Sequence, residues 1–374
     1  MTTARHAEIV GAGLGGLTIA TALCQRGWSA RVHERMPHLM AVGSGLSIFE
    51  NGLKVMRAIG AEDEVLQCAR AGFERETRDR FGNTTSLIPY TTRMYEVTRQ
   101  QVVTALSSAA ERAGVEIVTG SQAVSATPDG ALTLADGTIL KADLVVAADG
   151  IGSRIRDSLA IPYRRALLAD GAIRIVVPRT PADLVHPDAM KNVEYWSGHR
   201  RILVAPCNDT ELYVALTTLE SDEAAKALPI DKALWTEAFP CLAELIARLD
   251  GEARWDRFQT IRIKSWSKGR VAVLGDAAHA MAPNLGQGGA CAMMNGLGLA
   301  VRLDEEADIE AALRHWEARE RPLTDHTQRV SSFYSALTHW PDQLRSAAFW
   351  MISRSERLRG MHLRTAHHIP TGAA

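Results

Sequence analysis

The feature that most constrains this chain is the run Ala7-Glu8-Ile9-Val10, followed at once by Gly11-Ala-Gly13-Leu14-Gly15-Gly16 and an apolar stretch of helical character. A strand that breaks into this glycine pattern and then into a helix predicts a βαβ unit built around a dinucleotide pyrophosphate. Gly11 permits the tight turn, Gly13 lets the backbone approach the phosphates, and Gly16 lets the helix Leu17–Arg26 pack on the strand. Leu14 and Gly15 complete the loop, and the free amides at the helix start face the anion. Glu34 lies 18 residues after Gly16, at the end of the short strand Ala30–His33. A carboxylate there accepts hydrogen bonds from an adenosine ribose hydroxyl.

A second glycine-rich segment lies about 260 residues downstream. Arg270-Val-Ala-Val-Leu274 leads into Gly275-Asp276-Ala-Ala-His279, then Pro283 and Gly286-Gln287-Gly288-Gly289. A nicotinamide cofactor does not need this second set of close backbone approaches. The two segments together point to FAD.

Composition fits a globular enzyme. The chain has 374 residues, 46% hydrophobic and 23% charged, enough for a sizeable core. A formal net charge of −1 gives no reason to expect nucleic acid or an anionic membrane as partner. No run of 18 apolar residues is present, and Arg5, His6 and Glu8 interrupt any signal-like segment, so a cytoplasmic location is expected. The five cysteines (24, 68, 207, 241, 291) are scattered without CxxC or zinc-type spacing, and no metal is expected.

Periodicity along the chain predicts a helix over Met56–Arg70 and strands between Gly72 and Val97. It then predicts a helix Arg99–Ala113 capped by Thr98 and ended by Gly114. Hairpin turns fall at Asp129-Gly130 and Asp136-Gly137, and the apolar strand Asp143–Ala148 ends in Asp149-Gly150. From Ala166 to Ile263 the alternation is that of an antiparallel sheet, and helices resume after Gly289. The expected division is a discontinuous nucleotide-binding domain (1–71, 98–165, 264–325), an inserted sheet domain (72–97, 166–263) and a C-terminal helical segment (326–374).

Three motifs in this order resemble the single-component FAD-dependent aromatic hydroxylases: Gly11–Gly16, Asp149-Gly150 with Arg156, and Gly275-Asp276 with Pro283. The likeness spans roughly residues 6 to 325 and is strongest to the members that act on pyridine rings. It is carried there by Asp149–Asp157, Arg201-Ile-Leu, Pro206-Cys-Asn, Glu211-Leu-Tyr213 and Gly275–Met281. The resemblance implies an α/β fold: a Rossmann-like FAD-binding domain of GR2 type, an inserted antiparallel-sheet substrate domain and C-terminal helices. It implies that Asp276 accepts from a ribityl or ribose hydroxyl and that Gly286, Gly288 and Gly289 bring amides to the flavin's pyrimidine edge. It also places Arg99 near the pyrophosphate, Arg35 on the adenosine side, and Asp149 where both FAD and a transient reductant bind.

The resemblance further implies a reaction. NADH or NADPH reduces FAD, dioxygen is captured as a flavin hydroperoxide, and a small hydroxylated aromatic or pyridine carboxylate is hydroxylated. Oxygenative ring opening by the same chemistry stays open, as does an oxidase or reductase without oxygen insertion. Arg201 and Tyr213 match substrate-facing groups of the pyridine-ring members, and an arginine fork suits a carboxylate. Arg75 and Phe258 stand where tyrosines are expected, so Arg75 is a second candidate anchor and the pocket is expected to be cationic. A monomer or homodimer is expected.

Overall fold

A computed structural model describes residues 5–40, 44–251 and 253–373. The strand His6–Val10 lies at the centre of a six-stranded sheet, flanked in parallel by Leu144–Ala147 and Ser29–His33. Val271–Val273 and Glu116–Val118 extend it in parallel on either side, and Ser267–Lys268 closes one edge antiparallel. The sequences Leu-Val-Val-Ala and Val-Ala-Val are apolar at every position because helices cover both faces. One of these helices, Leu14–Cys24, crosses Gly288–Glu305 at very close range. A Cβ on Gly15 would sit 3.3 Å from that of Ala292, and one on Gly296 would sit 3.2 Å from the Gly15 carbonyl oxygen.

The second layer is an eight-stranded sheet in the order Arg254–Ile263, Tyr163–Pro178, Glu211–Leu219, Arg200–Pro206, Asn192–Ser197, Arg70–Asp79, Thr84–Thr98, Gly45–Phe49. All its pairs are antiparallel except Asn192–Ser197 with Arg70–Asp79, which run parallel. The first βαβ region also contributes its edge strand, Gly45–Phe49, paired with Thr84–Thr98. Alternation divides the faces of this sheet. Ile173, Ile175, Val193, Ile202, Leu212, Val214 and Leu216 pack under Trp235 and Phe239 of the covering helix Lys232–Ala238 and the turn after it. Arg75, Glu194, Arg201, Tyr213 and Thr217 occupy the other face, toward the turn Pro283–Leu285 and the C-terminal helices.

Two helix boundaries differ from expectation. The helix expected at Leu17–Arg26 starts at Leu14, because the glycine turn is completed within three residues. The single helix expected over Met56–Arg70 is two, Glu50–Ala58 and Glu62–Leu66. Gly60 breaks it at φ +76°, and Arg70 already belongs to a strand. The cap at Thr98 forms as expected: its side chain accepts from the Gln101 amide, and Gln101 answers with a bond from the Thr98 amide. Among the described residues no helix is long and apolar enough to cross a membrane.

Gly16 joins strand to helix. A Cβ there would lie 2.0 Å from the Gly11 carbonyl oxygen, a backbone atom with nowhere to go. Gly16→Ala should therefore destabilise the protein by about 1–3 kcal/mol or more, the usual cost of overpacking. Thermal melting with and without added FAD checks this, and the loss should appear in both.

Candidate active site

The first cradle is built by the turn between His6–Val10 and Leu14–Cys24. Gly11 adopts φ +101°, and its amide donates to the His33 carbonyl at 2.8 Å. A Cβ on Gly11 would meet the Ala148 oxygen at 2.5 Å, so the neighbouring strand forbids a side chain here. Gly13 is different, since a Cβ on it would find no protein atom within 4 Å. The space beside Gly13 is open, as a cofactor's approach requires. The helix that follows has no side-chain cap, which leaves its first amides available to an anion. Glu34 Oε2 accepts from the Ala12 amide at 3.0 Å and Oε1 from the Met36 amide at 2.9 Å, so this carboxylate also braces the turn itself. Arg35 is exposed beside it.

Asp276 and Arg99 mark the opposite side. The Asp276 carboxylate is open to solvent yet surrounded by protein, as expected for a cleft wall; burial pushes its pKa up and the charge of Arg99 opposes the rise. Arg99 is itself exposed at the start of the helix Arg99–Arg112. Gly275 precedes Asp276 at φ +63°. The turn Pro283–Leu285 then closes on Gly286 in the left-handed region, φ +63° and ψ 18°, and Gly288 opens a second helix without a side-chain cap. A Cβ on Gly289 would press on Leu14 Cδ2 at 2.8 Å, so the two glycine segments touch.

Asp149 has a structural role of its own. Ser153 Oγ donates to its Oδ1, and the Arg154 and Ile155 amides donate to Oδ2 at 2.9 and 3.4 Å. Its carboxylate therefore ties down the start of the short helix Arg154–Ser158. Arg156, almost fully buried, donates to the carbonyls of Ile151 and Ala277 and stacks on the Tyr163 ring at 4.0 Å. It thus locks the Asp149 loop to the Asp276 helix.

Arg75, Arg201 and Tyr213 do share the inward face of the eight-stranded sheet. Arg201 pairs across to Thr217 and Tyr213 to Ala205, which puts them on one side but at separate points along it. Both arginines converge on one buried carboxylate that the sequence reading passed over, Glu194. Arg201 Nη1 meets Glu194 Oε1 at 3.0 Å, and Arg75 Nη2 donates to Oε2 at 2.7 Å. The other terminal nitrogens reach the turn Pro283–Leu285: Arg201 Nη2 donates to Asn284 Oδ1 at 3.0 Å and to Thr217 Oγ1 at 3.4 Å, and Arg75 Nη1 donates to the Asn284 carbonyl at 3.4 Å, while the buried Arg201 Nε has no partner among the described residues. Trp196 lies under Arg201 and Tyr334 under Arg75, with His362 beside Tyr334. Burial alone would raise the Glu194 pKa, but the two guanidinium groups hold it down to about 2. The cluster keeps a net positive charge: two arginines share Glu194, and the buried Arg345 stacks on the Trp196 ring at 4.3 Å. Phe258 lies on the same face, under Arg174, whose guanidinium also reaches Tyr213.

Residues 5–328 match the model of a family described as "FAD binding domain". The chain belongs to the single-component FAD-dependent aromatic hydroxylases. This hydroxylase is 42% identical to the 2-heptyl-3-hydroxy-4(1H)-quinolone synthase of Mycobacteroides abscessus, over 94% of this chain and 95% of that one. It is 39% identical to a putative enzyme of the same name from Rhodococcus erythropolis, over 99% and 98%. The solved structure of 2-methyl-3-hydroxypyridine-5-carboxylic acid oxygenase superposes with a TM-score of 0.89 at 38% identity, covering 98% of this chain and 97% of that one.

FAD fits the hydroxylase's own residues: open space at Gly13, two uncapped helix starts in contact, and the Asp276–Arg99 pair in the cleft between them. A branched side chain at Gly13 would fill only that space. Gly13→Val should therefore leave the melting temperature of the FAD-free protein nearly unchanged while abolishing retention of the yellow cofactor, read by visible absorbance after desalting. Glu194→Gln should cost about 3–5 kcal/mol, because two buried arginines lose their counter-charge. The linked acid sensitivity has a definite sign. A folded-state pKa of about 2, below the ordinary carboxylate value, gives stability that is present above pH about 4.5 and lost as pH falls toward 2. The Gln variant should lack that acid-dependent loss in denaturant titrations.

Proposed function

We propose that this FAD- and NAD(P)H-dependent monooxygenase hydroxylates a neutral, bicyclic nitrogen heteroaromatic of the 2-alkyl-4(1H)-quinolone class. The observation that carries this reading is the Arg75–Glu194–Arg201 cluster. The four terminal guanidinium nitrogens that would clamp a substrate carboxylate are already engaged by Glu194, Asn284 and Thr217, and of these two arginines only the inner Arg201 Nε is buried without a partner among the described residues. A carboxylate ligand would have to displace Glu194, whose own charge would then lie unpaired in the interior. A neutral ring asks for no such exchange. The likeness to two proteins named for a 3-hydroxyquinolone product supports the same class.

Bound FAD, reduced by NAD(P)H, supplies electrons and activates dioxygen for transfer to the ring. The chain's own residues provide the rest. The glycine turns, Asp276 and Arg99 hold the cofactor, and the inward face of the eight-stranded sheet orients the ring and keeps water out. In this reading the six-stranded half is the nucleotide-binding part and the larger sheet is the substrate-binding part. Tyr213 packs against Gly45, where a Cβ would meet its ring at 2.6 Å, and it walls one end of that face.

A second reading keeps the hydroxypyridine carboxylates as substrates, with hydroxylation or ring opening; it is supported by the 38% identity to the pyridine-ring oxygenase. The two readings separate in one assay. NADH and NADPH oxidation is followed with 2-heptyl-4(1H)-quinolone and with 2-methyl-3-hydroxypyridine-5-carboxylate, and products formed under labelled dioxygen are weighed by mass spectrometry. Quinolone should stimulate oxidation and gain one labelled oxygen atom. Stimulation by the pyridine carboxylate alone would refute the neutral-ring reading.

A further inference from the structure

A second buried carboxylate lies on the same inward face, and it has no cation. Glu96 is carried by Thr84–Thr98 and is 3% exposed. Ser47 Oγ donates to its Oε1 at 2.5 Å, and Asn192 Nδ2 donates to the same oxygen at 2.7 Å. No hydrogen bond reaches Oε2 among the described residues. The groups that face it come from several elements: Ser47 on Gly45–Phe49, Asn192 on Asn192–Ser197, Tyr213 on Glu211–Leu219, Cys207 past the end of Arg200–Pro206, and Tyr90 on its own strand. Arg70, its cross-strand partner, turns away to Asp209 and Met190. Glu194 keeps both nearby arginines for itself.

The place of this carboxylate matters as much as its surroundings. A Cβ on Gly286 would lie 3.3 Å from Ser47 Cβ, so Ser47 stands directly against the second glycine segment of the FAD cradle. Ser47 and Glu96 are cross-strand partners, and Tyr213 closes on Gly45, two residues before Ser47. The Ser47–Glu96 pair therefore reaches from the cofactor loop to the substrate-facing sheet.

We propose that Glu96 is the proton acceptor for the ring N–H or O–H of the substrate, reached through the Ser47 hydroxyl. This rests on the reading of the substrate as a heteroaromatic ring with an exchangeable proton. The ring heteroatom's proton passes to Ser47 Oγ as the Ser47 hydrogen moves to Glu96 Oε1. The carboxylate becomes a carboxylic acid, and the electron pair of the broken bond stays on the ring as an anion, enriching the carbon that receives oxygen. Burial pushes the Glu96 carboxyl up to about 7, against the pull of the Ser47 and Asn192 hydrogen bonds, so it can both take and release a proton near neutrality.

The test uses FAD-loaded wild type, Glu96→Gln, Glu96→Asp and Ser47→Ala. Bound 2-heptyl-4(1H)-quinolone, scanned anaerobically from pH 5 to 9, should show the absorbance of its anion in wild type and of the neutral ring in the Gln and Ala variants. Product formation should fall about 100-fold in both, the low end for loss of general-base assistance, with partial recovery in Glu96→Asp. Melting temperature gives a readout independent of substrate. A folded-state pKa raised above the unfolded value costs wild type stability as pH rises from about 4.5 to 7, so the Gln variant's melting temperature should gain on wild type across that window. A Gln variant within threefold of wild-type rate with an unmoved pH profile would overturn the proposal, and so would a melting gap that is flat with pH. Should the Gln variant not fold, an unmoved limb in the Glu96→Asp pH–rate profile overturns it equally. If wild type binds neither quinolone nor hydroxypyridine carboxylate, the substrate reading fails and the proposal falls with it; quinolone bound and turned over by the Gln and Ala variants as by wild type overturns the proposal while that reading stands.

Discussion

The contact between the Gly16 Cα and the Gly11 carbonyl is the constraint on which the nucleotide half is built. No side chain fits there, and the absence of one draws Leu14–Cys24 onto the central strand. That seat brings Gly15 against Ala292 and Gly296 against Gly15, so Gly288–Glu305 approaches close enough for its uncapped end to meet Leu14. Two amide-rich helix starts, distant in sequence, then share one cleft. An alanine-for-glycine register error in either helix would separate them, because close-packed interiors do not stretch to accommodate a methyl group.

On the other side of the cleft, charge rather than shape sets the arrangement. Glu194 takes bonds from both arginines through separate oxygens, and the ring faces of Trp196 and Tyr334 cover the guanidinium planes. Glu96, a few residues away on the same face, has hydrogen bonds but no ion pair. Two carboxylates on one face of the sheet are thereby pushed in opposite directions, one to about 2 and the other to about 7. The difference comes from which strand each arginine reaches.

What the sequence disclosed was local. The glycine turn, the position of Glu34, the Thr98–Gln101 cap and the hairpins at Gly130 and Gly137 are each contained within a short window, where backbone chemistry acts alone. The false helix over Met56–Arg70 shows the limit of periodicity: one left-handed glycine outweighed the apolar pattern. Glu194 stayed hidden because its pairing depends on Arg70–Asp79 lying parallel to Asn192–Ser197, more than a hundred residues along the chain. The one local sign was a lone acid inside an apolar aromatic strand, Val-Glu-Tyr-Trp, and Glu96 in Tyr-Glu-Val carries the same mark. The turn at Asp149-Gly150 is legible in the sequence, whereas the bonds from Ser153 and two amides to its carboxylate depend on how the loop folds back.

Asn284 carries a consequence for how such an enzyme changes over time. It accepts hydrogen bonds from Arg75 through its carbonyl and from Arg201 through its side chain, and it belongs to the turn that ends at Gly286. The two arginines of the proposed substrate face are therefore also struts of the glycine loop proposed to seat the cofactor. A lineage acquiring a new substrate by replacing either arginine would disturb the seat of its own oxidant in the same step. Adaptation in this fold then favours positions such as Leu203, Ala205 or Ala215, which alternate onto the same face as Arg201 and Tyr213. New ring shapes can be explored there while the oxidising centre stays fixed.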